Sequence, residues 1–225
     1  MDPRLRRAVD ASIGWYEDVF AMHGIGSTLE NGLWTSAGPP PPYHSDAVTV
    51  EPWVTREAVD AALAERTTWG FKDSFASVEP ALDGTRLLLS ATWIHRREED
   101  RAARAPAAWG RVADAERLAA WNAGWDTAEV LLPPILRRGH IAVLARAGGA
   151  GIEAGAVARL GSGVVELSNI HGVDGREVDW DELVAAVAAR FPGRPLVGFE
   201  SGDDLGAALS AGFEAVGELR IWTRS

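Results

Sequence analysis

The chain has 225 residues with 47% hydrophobic content, enough to form one large domain or two small ones that bury most of their apolar surface without covalent staples. A formal net charge of −10 argues against nonspecific binding to nucleic acid. The absence of cysteine excludes disulfides, thiolate metal sites and a cysteine nucleophile, and fits a reducing, cytoplasmic setting.

The elements are expected in the following order. Met1 to Arg7 is basic but has no apolar stretch behind it, and Glu17 and Asp18 fall where one would sit. Neither a signal peptide nor a membrane span is therefore expected. Leu5, Val9, Ile13, Tyr16 and Phe20 recur at helical spacing and predict a helix near 3–23, ended by Gly24 and Gly26. Four consecutive prolines, Pro39 to Pro42, predict a rigid polyproline connector. It is either a surface strap or a pocket wall, because Trp34, Tyr43 and His44 flank it. Ala47 to Val50 reads as a strand. Thr55 caps a helix from Arg56 to about Arg66. Strands follow at Phe71 to Val78 and Thr85 to His95. The charged run from Arg96 to Arg101 reads as a solvated linker.

This linker divides the chain into an N-terminal unit, 1–100, and a C-terminal unit, 101–225. In the second unit a helix is expected from Asp114 to Gly124, with a short element at Val130 to Leu136. Strands at Ile141–Arg146, Ile152–Leu160 and Val164–Ile170 form a meander joined by glycine turns. Asp179 caps a helix ending near Phe191. A strand at Leu196–Phe199, a helix from Asp203 to Ala211 and a last strand at Gly217–Thr223 complete the order.

The two units echo each other. Each has an alanine-rich helix ending in arginine (Arg66, Arg190), then a Gly-Phe strand (Gly70-Phe71, Gly198-Phe199), then a terminal strand carrying tryptophan (Trp93, Trp222).

From about 109 onward the element order resembles the GNAT acetyltransferases. The resemblance rests on the helix with Trp121 and Trp125, the strand Ile152 to Arg159 and the strand Val164 to Asn169. It continues through the helix at 179–191, the strand Pro195 to Glu200, and Ala211-Gly212-Phe213 before the final strand. It implies an α+β fold with a mixed, mostly antiparallel sheet flanked by helices, and a partial N-terminal copy through the echo. It also implies an acyl donor of the acetyl-CoA or other acyl-CoA type, lying where the strands at 164–170 and 196–199 part. On that reading Leu167, Ser168 and Asn169 meet the donor's amides, and Gly172, Gly175 and Arg176 lie where its pyrophosphate would rest on a helix N-terminus. The loop departs from the family pattern, because Asp174, Glu177 and Asp179 set carboxylates there. Each would repel phosphate by roughly 1 kcal/mol or more at close range.

Acyl transfer needs a base for the amine and backbone N–H groups to polarise the carbonyl. Glu166, Glu200 and His171 are the candidate catalytic residues. Trp34, Tyr43, His44, Lys72 and Asp73 are candidates for substrate binding; Lys72 stands out as the only lysine in the chain. A metal site is not expected, since no histidines stand at ligand spacing. The expected partner is a small-molecule amine, with no nucleic acid and no membrane. Two other readings stay open: a small-molecule binding protein or enzyme of other chemistry on the same fold, and a structural partner subunit.

Overall fold

The computed structural model describes residues 1–98, 106–125, 130–149 and 151–224. Residues 99–101 of the expected linker, and Ala150 of the expected hairpin turn, lie outside the described residues.

The first helix, α1, spans Pro3–Met22. Asp2 caps it by accepting from the Arg4 N–H at 2.8 Å, and Pro3 begins it without leaving an N–H unmet. Two short strands follow, β1 (Ser27–Glu30) and β2 (Leu33–Ser36), which the sequence reading passed over. They pair through a turn at Asn31 and Gly32, whose φ values are 49° and 78°. Asn-Gly with two left-handed residues is the turn whose twist matches a hairpin.

Next come β3 (Ala47–Thr49), α2 (Arg56–Leu63), β4 (Trp69–Asp73) and β5 (Arg86–Arg96). Helix α2 stops three residues before the expected Arg66, and β4 starts and ends earlier than expected. The C-terminal part begins with β6 (Trp109–Arg111), also unanticipated, and α3 (Ala115–Gly124). The expected element near 130–136 is a 3₁₀ turn at Pro133–Arg137. The meander is β7 (Ile141–Gly148), β8 (Gly151–Gly161) and β9 (Val164–Gly172). It leads to α4 (Trp180–Arg190), β10 (Leu196–Glu200), α5 (Gly202–Ser210) and β11 (Glu214–Arg224). Thr55, Asp114 and Asp179 all cap their helices through side-chain oxygens, as the sequence suggests.

The eleven strands among the described residues form one sheet, in the order β1-β2-β3-β4-β11-β5-β10-β9-β8-β7-β6. The mixed α+β architecture expected from sequence is present. Its centre is an exchange: β5 lies between β10 and β11, and β11 between β4 and β5. Phe71 therefore faces Trp222, and Phe199 faces Trp93. The Gly-Phe strand of each part is paired with the tryptophan strand of the other. Read inward from either side, a parallel pair (β3 with β4, β9 with β10) meets an antiparallel neighbour.

Successive residues point to opposite faces, so Trp93 and Ile94 serve different cores. Trp93 joins α1, α3 and the inner face of β7 and β8 around Phe20, Trp121, Val143 and Val157. Ile94 joins α4 and α5 around Leu167, Trp180, Leu183 and Phe213. A third cluster seats α2 on Phe71, Trp69 and Trp222.

The sheet curls around α1. Three strand spacings separate β4 from β10, about 14 Å on a flat sheet. Yet the Lys72 ammonium of β4 lies 4.1 Å from the Phe199 ring centroid of β10. Asp18 ties the same helix to the C-terminal part. Its buried carboxylate accepts from Arg138, from Arg159 at 2.5 Å, and from His140 at 3.0 Å. Burial opposes its charge, but the Arg159 and His140 hydrogen bonds prevail and hold its pKa below the usual carboxylate value.

Candidate active site

The face of the sheet that holds α1 carries a cleft of about 1190 Å³, somewhat larger than the volumes typical of small-molecule sites. One wall is β9 from Glu166 to Ile170, with Phe199 and Glu200 of β10. The opposite side is the start of β4 with Lys72, the end of β11, and the Pro39–Pro40 segment. Ser12, Trp15 and Tyr16 of α1 contribute from the helix side.

Two features open the cleft. The β9–β10 pairing covers only Leu196 with Val165 and Val197 with Glu166, after which no pair forms. On its other edge β9 bulges: Val157 faces Ser168 and Gly155 faces His171, so Ala156 stands opposite both Asn169 and Ile170. Asn169 takes a left-handed φ of 52°, which turns the strand and re-aims its backbone. The counterpart gap between β3 and β4 is closed. There the Thr49 hydroxyl donates to Asp73 at 3.4 Å and accepts from the Ser74 N–H at 2.8 Å.

The polar centre of the cleft is Lys72, Ser12 and Glu166. The Lys72 ammonium donates to Ser12 Oγ at 2.8 Å. Glu166 lines the same cleft, and its buried Oε2 has no partner among the described residues. Lys72 is 1% exposed and Glu166 2%. Burial pushes the lysine down and the glutamate up, and each is held partly back by the other's charge. Aromatic faces complete the cage around the ammonium, with Trp93 at 4.6 Å and Tyr16 at 5.6 Å. Sequence reasoning marked Lys72 and Glu166 separately. It missed Ser12, whose only signal is a hydroxyl on the apolar face of α1.

The other predicted residues divide clearly. Glu200, Leu167, Ser168, Asn169, Tyr43 and His44 also line the cleft. Glu200 is pushed up to about 8, by burial first and then by Asp204. His44 is pushed down to about 4 by burial. It sits edge-on to Tyr16 at 5.0 Å, with its Nδ1 2.9 Å from the Pro42 carbonyl. Tyr43 stacks on Trp125 at 4.8 Å, joining the proline segment to α3 over the mouth.

The remaining candidates are not among the lining residues. Trp34 is fully buried, edge-on to Phe20 and Tyr16. Asp73 leaves β4 on the face opposite Lys72 and accepts the Phe75 and Val78 N–H groups, so the two do not converge on one ligand. His171 packs edge-on against Trp121 and stacks on Trp125. Its Nδ1 is 3.1 Å from the Asn169 carbonyl, and burial lowers its pKa. Gly172 and Gly175 fold the following loop back tightly, and Arg176 is drawn toward Glu153 at 3.9 Å. Beyond that loop the N-terminus of α4 is filled by its own carboxylates. Asp179 accepts the Glu182 N–H at 3.0 Å, and Glu182 accepts from Arg146 at 2.9 Å and the Trp109 indole at 3.2 Å.

These residues fit one end of an acyl-coenzyme A and not the other. The parted strands, with the unpartnered Ser168 Oγ and Asn169 Oδ1, suit the amide-bearing arm of an acyl thioester. The α4 N-terminus offers no free cradle for a diphosphate. Among the described residues there is no cluster of three metal-ligating side chains and no helix long and apolar enough to cross a membrane.

No family model matches the chain, and no curated protein matches it in sequence. Solved structures do. A GCN5-related N-acetyltransferase from Kribbella flavida superposes with a TM-score of 0.62 at 17% identity, over 95% of both chains. A chain assigned to the GNAT family from Novosphingobium aromaticivorans gives 0.62 at 12% identity, over 100% of this chain and 98% of its own. The N-myristoyltransferase of Saccharomyces cerevisiae, solved with myristoyl-CoA, gives 0.50 at 11% identity over 82% of this chain and 60% of its own. Its neighbours and its parted β9 and β10 together establish that this chain has the fold of the GNAT acetyltransferases.

Proposed function

We propose that this chain is an acyltransferase that moves an acyl group from an acyl thioester of the acetyl-CoA type to the primary amine of a small molecule. The observation that carries this reading is the parting of β9 and β10 directly beyond the buried carboxylate of Glu166. Leu167, Ser168 and Asn169 would hold the thioester arm, and the thioester would supply an activated carbonyl. The bulge sets one residue of the Asn169–Ile170 pair outside the ladder, where a backbone N–H turned to the cleft would stabilise developing negative charge on oxygen. Glu166 takes the proton from the attacking amine at its free Oε2. Trp15, Tyr16 and Phe199 line the acceptor side with apolar surface that excludes water.

Isothermal titration with acetyl-CoA tests the reading, which fails if no heat of binding appears at millimolar concentration. Glu166→Gln is expected to keep binding and to lose a hundredfold or more in thioester turnover with an amine panel, on the order of a general base's contribution. The carboxylates at the start of α4 favour one other reading, a cleft that takes a small molecule without a nucleotide. Tight binding of acetyl-CoA removes it.

A further inference from the structure

The Lys72, Ser12 and Glu166 cluster spans the fold. Lys72 comes from β4, Ser12 from α1 and Glu166 from β9, and they meet only because the sheet curls. Three buried polar groups gathered on the lining of one cleft are costly to assemble and must be nearly fully satisfied to be stable. Here one atom is not: Glu166 Oε2 is buried without a partner among the described residues, while Lys72 is bonded to Ser12.

We propose that Lys72, held by Ser12, is a positioning residue that keeps Glu166 a carboxylate, with Oε2 left free for the acceptor's proton. This rests on the acyl-transfer reading for the identity of the acceptor, but the linkage itself does not.

The physical logic is a counter-charge. A carboxylate buried alone keeps its proton at neutral pH and cannot accept another. The buried Lys72 ammonium on the lining of the same cleft offsets that penalty. Ser12 Oγ accepts from Lys72 at 2.8 Å and so fixes where the ammonium sits. The cation is in turn held by the faces of Phe199, Trp93 and Tyr16. The other ionisable groups acting on this pair are Arg159 and Asp18, already bound to each other, and His44, which the Lys72 charge disfavours from protonating. The proton balance is simple. The amine N–H bond breaks, an O–H bond forms at Glu166 Oε2, and Lys72 keeps its own protons throughout.

Because the chain contains one lysine, protein grown on ¹³Cε-lysine gives a single side-chain resonance. That resonance reads Lys72 directly, in the intact protein and without any substrate. It is expected to titrate below the range of a free lysine, about 10.4, and to move down by a further unit or so in Glu166→Gln, because the carboxylate is what favours the charged amine. Ser12→Ala, a substitution that suits a helix, provides a second variant should Glu166→Gln not fold, and is expected to shift the same resonance. A resonance that titrates like a free lysine, or one that neither variant moves, overturns the proposal.

The second readout is the pH dependence of acetyl-CoA turnover. Lys72→Met is expected to move the acidic limb upward by about one unit or more, and Lys72→Arg to restore it in part. A Lys72→Met profile that is lowered but not shifted reduces the lysine to a structural role and refutes the positioning one. If acetyl-CoA does not bind at all, the acyl-transfer reading fails while the resonance still decides the linkage.

Discussion

Removing the charge of Asp18 should be costly. Its carboxylate is 11% exposed and faces Arg159, whose side chain is 14% exposed, with Arg138 and His140 at the edge. Breaking a fully buried pair costs about 3–5 kcal/mol, because a desolvated charge is left behind. Here water still reaches Arg138 and His140, 29% and 42% exposed, so Asp18→Asn is expected to cost about 2–3 kcal/mol. For a chain of this size that is a fall in Tm of roughly 4–12 °C. The pH dependence fixes the cause. Because the folded-state pKa is depressed, the stabilisation is fully present above the unfolded carboxylate value and is lost as pH falls through the folded one. Thermal melts of both proteins at pH 7 and at successively lower pH should therefore converge below about pH 4. Equal melting temperatures at pH 7, or a gap that widens in acid, would refute the reasoning.

Two further outcomes follow from the cleft walls. Glu200 keeps its proton up to about 8 in the fold but releases it near the ordinary glutamate value when unfolded. The wild type therefore loses stability as pH rises between those values, by up to about 1.4 kcal/mol per pH unit. Glu200→Gln should flatten that slope in urea midpoints at pH 5, 6 and 7; parallel slopes would exclude burial as the cause. Tyr43 holds a φ of 65° while stacked on Trp125. Either truncation gives up the stack, but only glycine relieves the strain, so Tyr43→Gly should be more stable than Tyr43→Ala by about 1 kcal/mol in chemical denaturation. The reverse order would mean that the backbone at this position is not strained.

What the sequence discloses follows from range. Helix α1 could be read because its apolar face repeats within twenty residues, and Thr55, Asp114 and Asp179 because a cap is a contact over three. The hairpin of β1 and β2 was also written locally, in Asn31-Gly32, but its strands are too short to show alternation. The parting of β9 from β10 could be anticipated from the order of elements. The bulge on the other edge of β9 could not, since Asn169 looks like any polar strand residue. Nor could the convergence of Lys72 on Ser12, 60 positions earlier, because it depends on the curvature of a sheet that no local pattern encodes. The same is true of Asp73, adjacent to Lys72 in sequence but directed to the other face by the pleat.

The exchanged centre of the sheet has a consequence for synthesis. Strand β11 is the last of the eleven to leave the ribosome, yet it is the neighbour of both β4 and β5. Until it emerges, those two early strands have no partner along those edges, and open edges invite pairing with another chain. The N-terminal part must then wait, incompletely zipped, for some 120 residues of later sequence. Folding should therefore finish in one late, cooperative step rather than part by part. A chaperone that shields strand edges would act most usefully in that interval, between the appearance of β5 and that of β11.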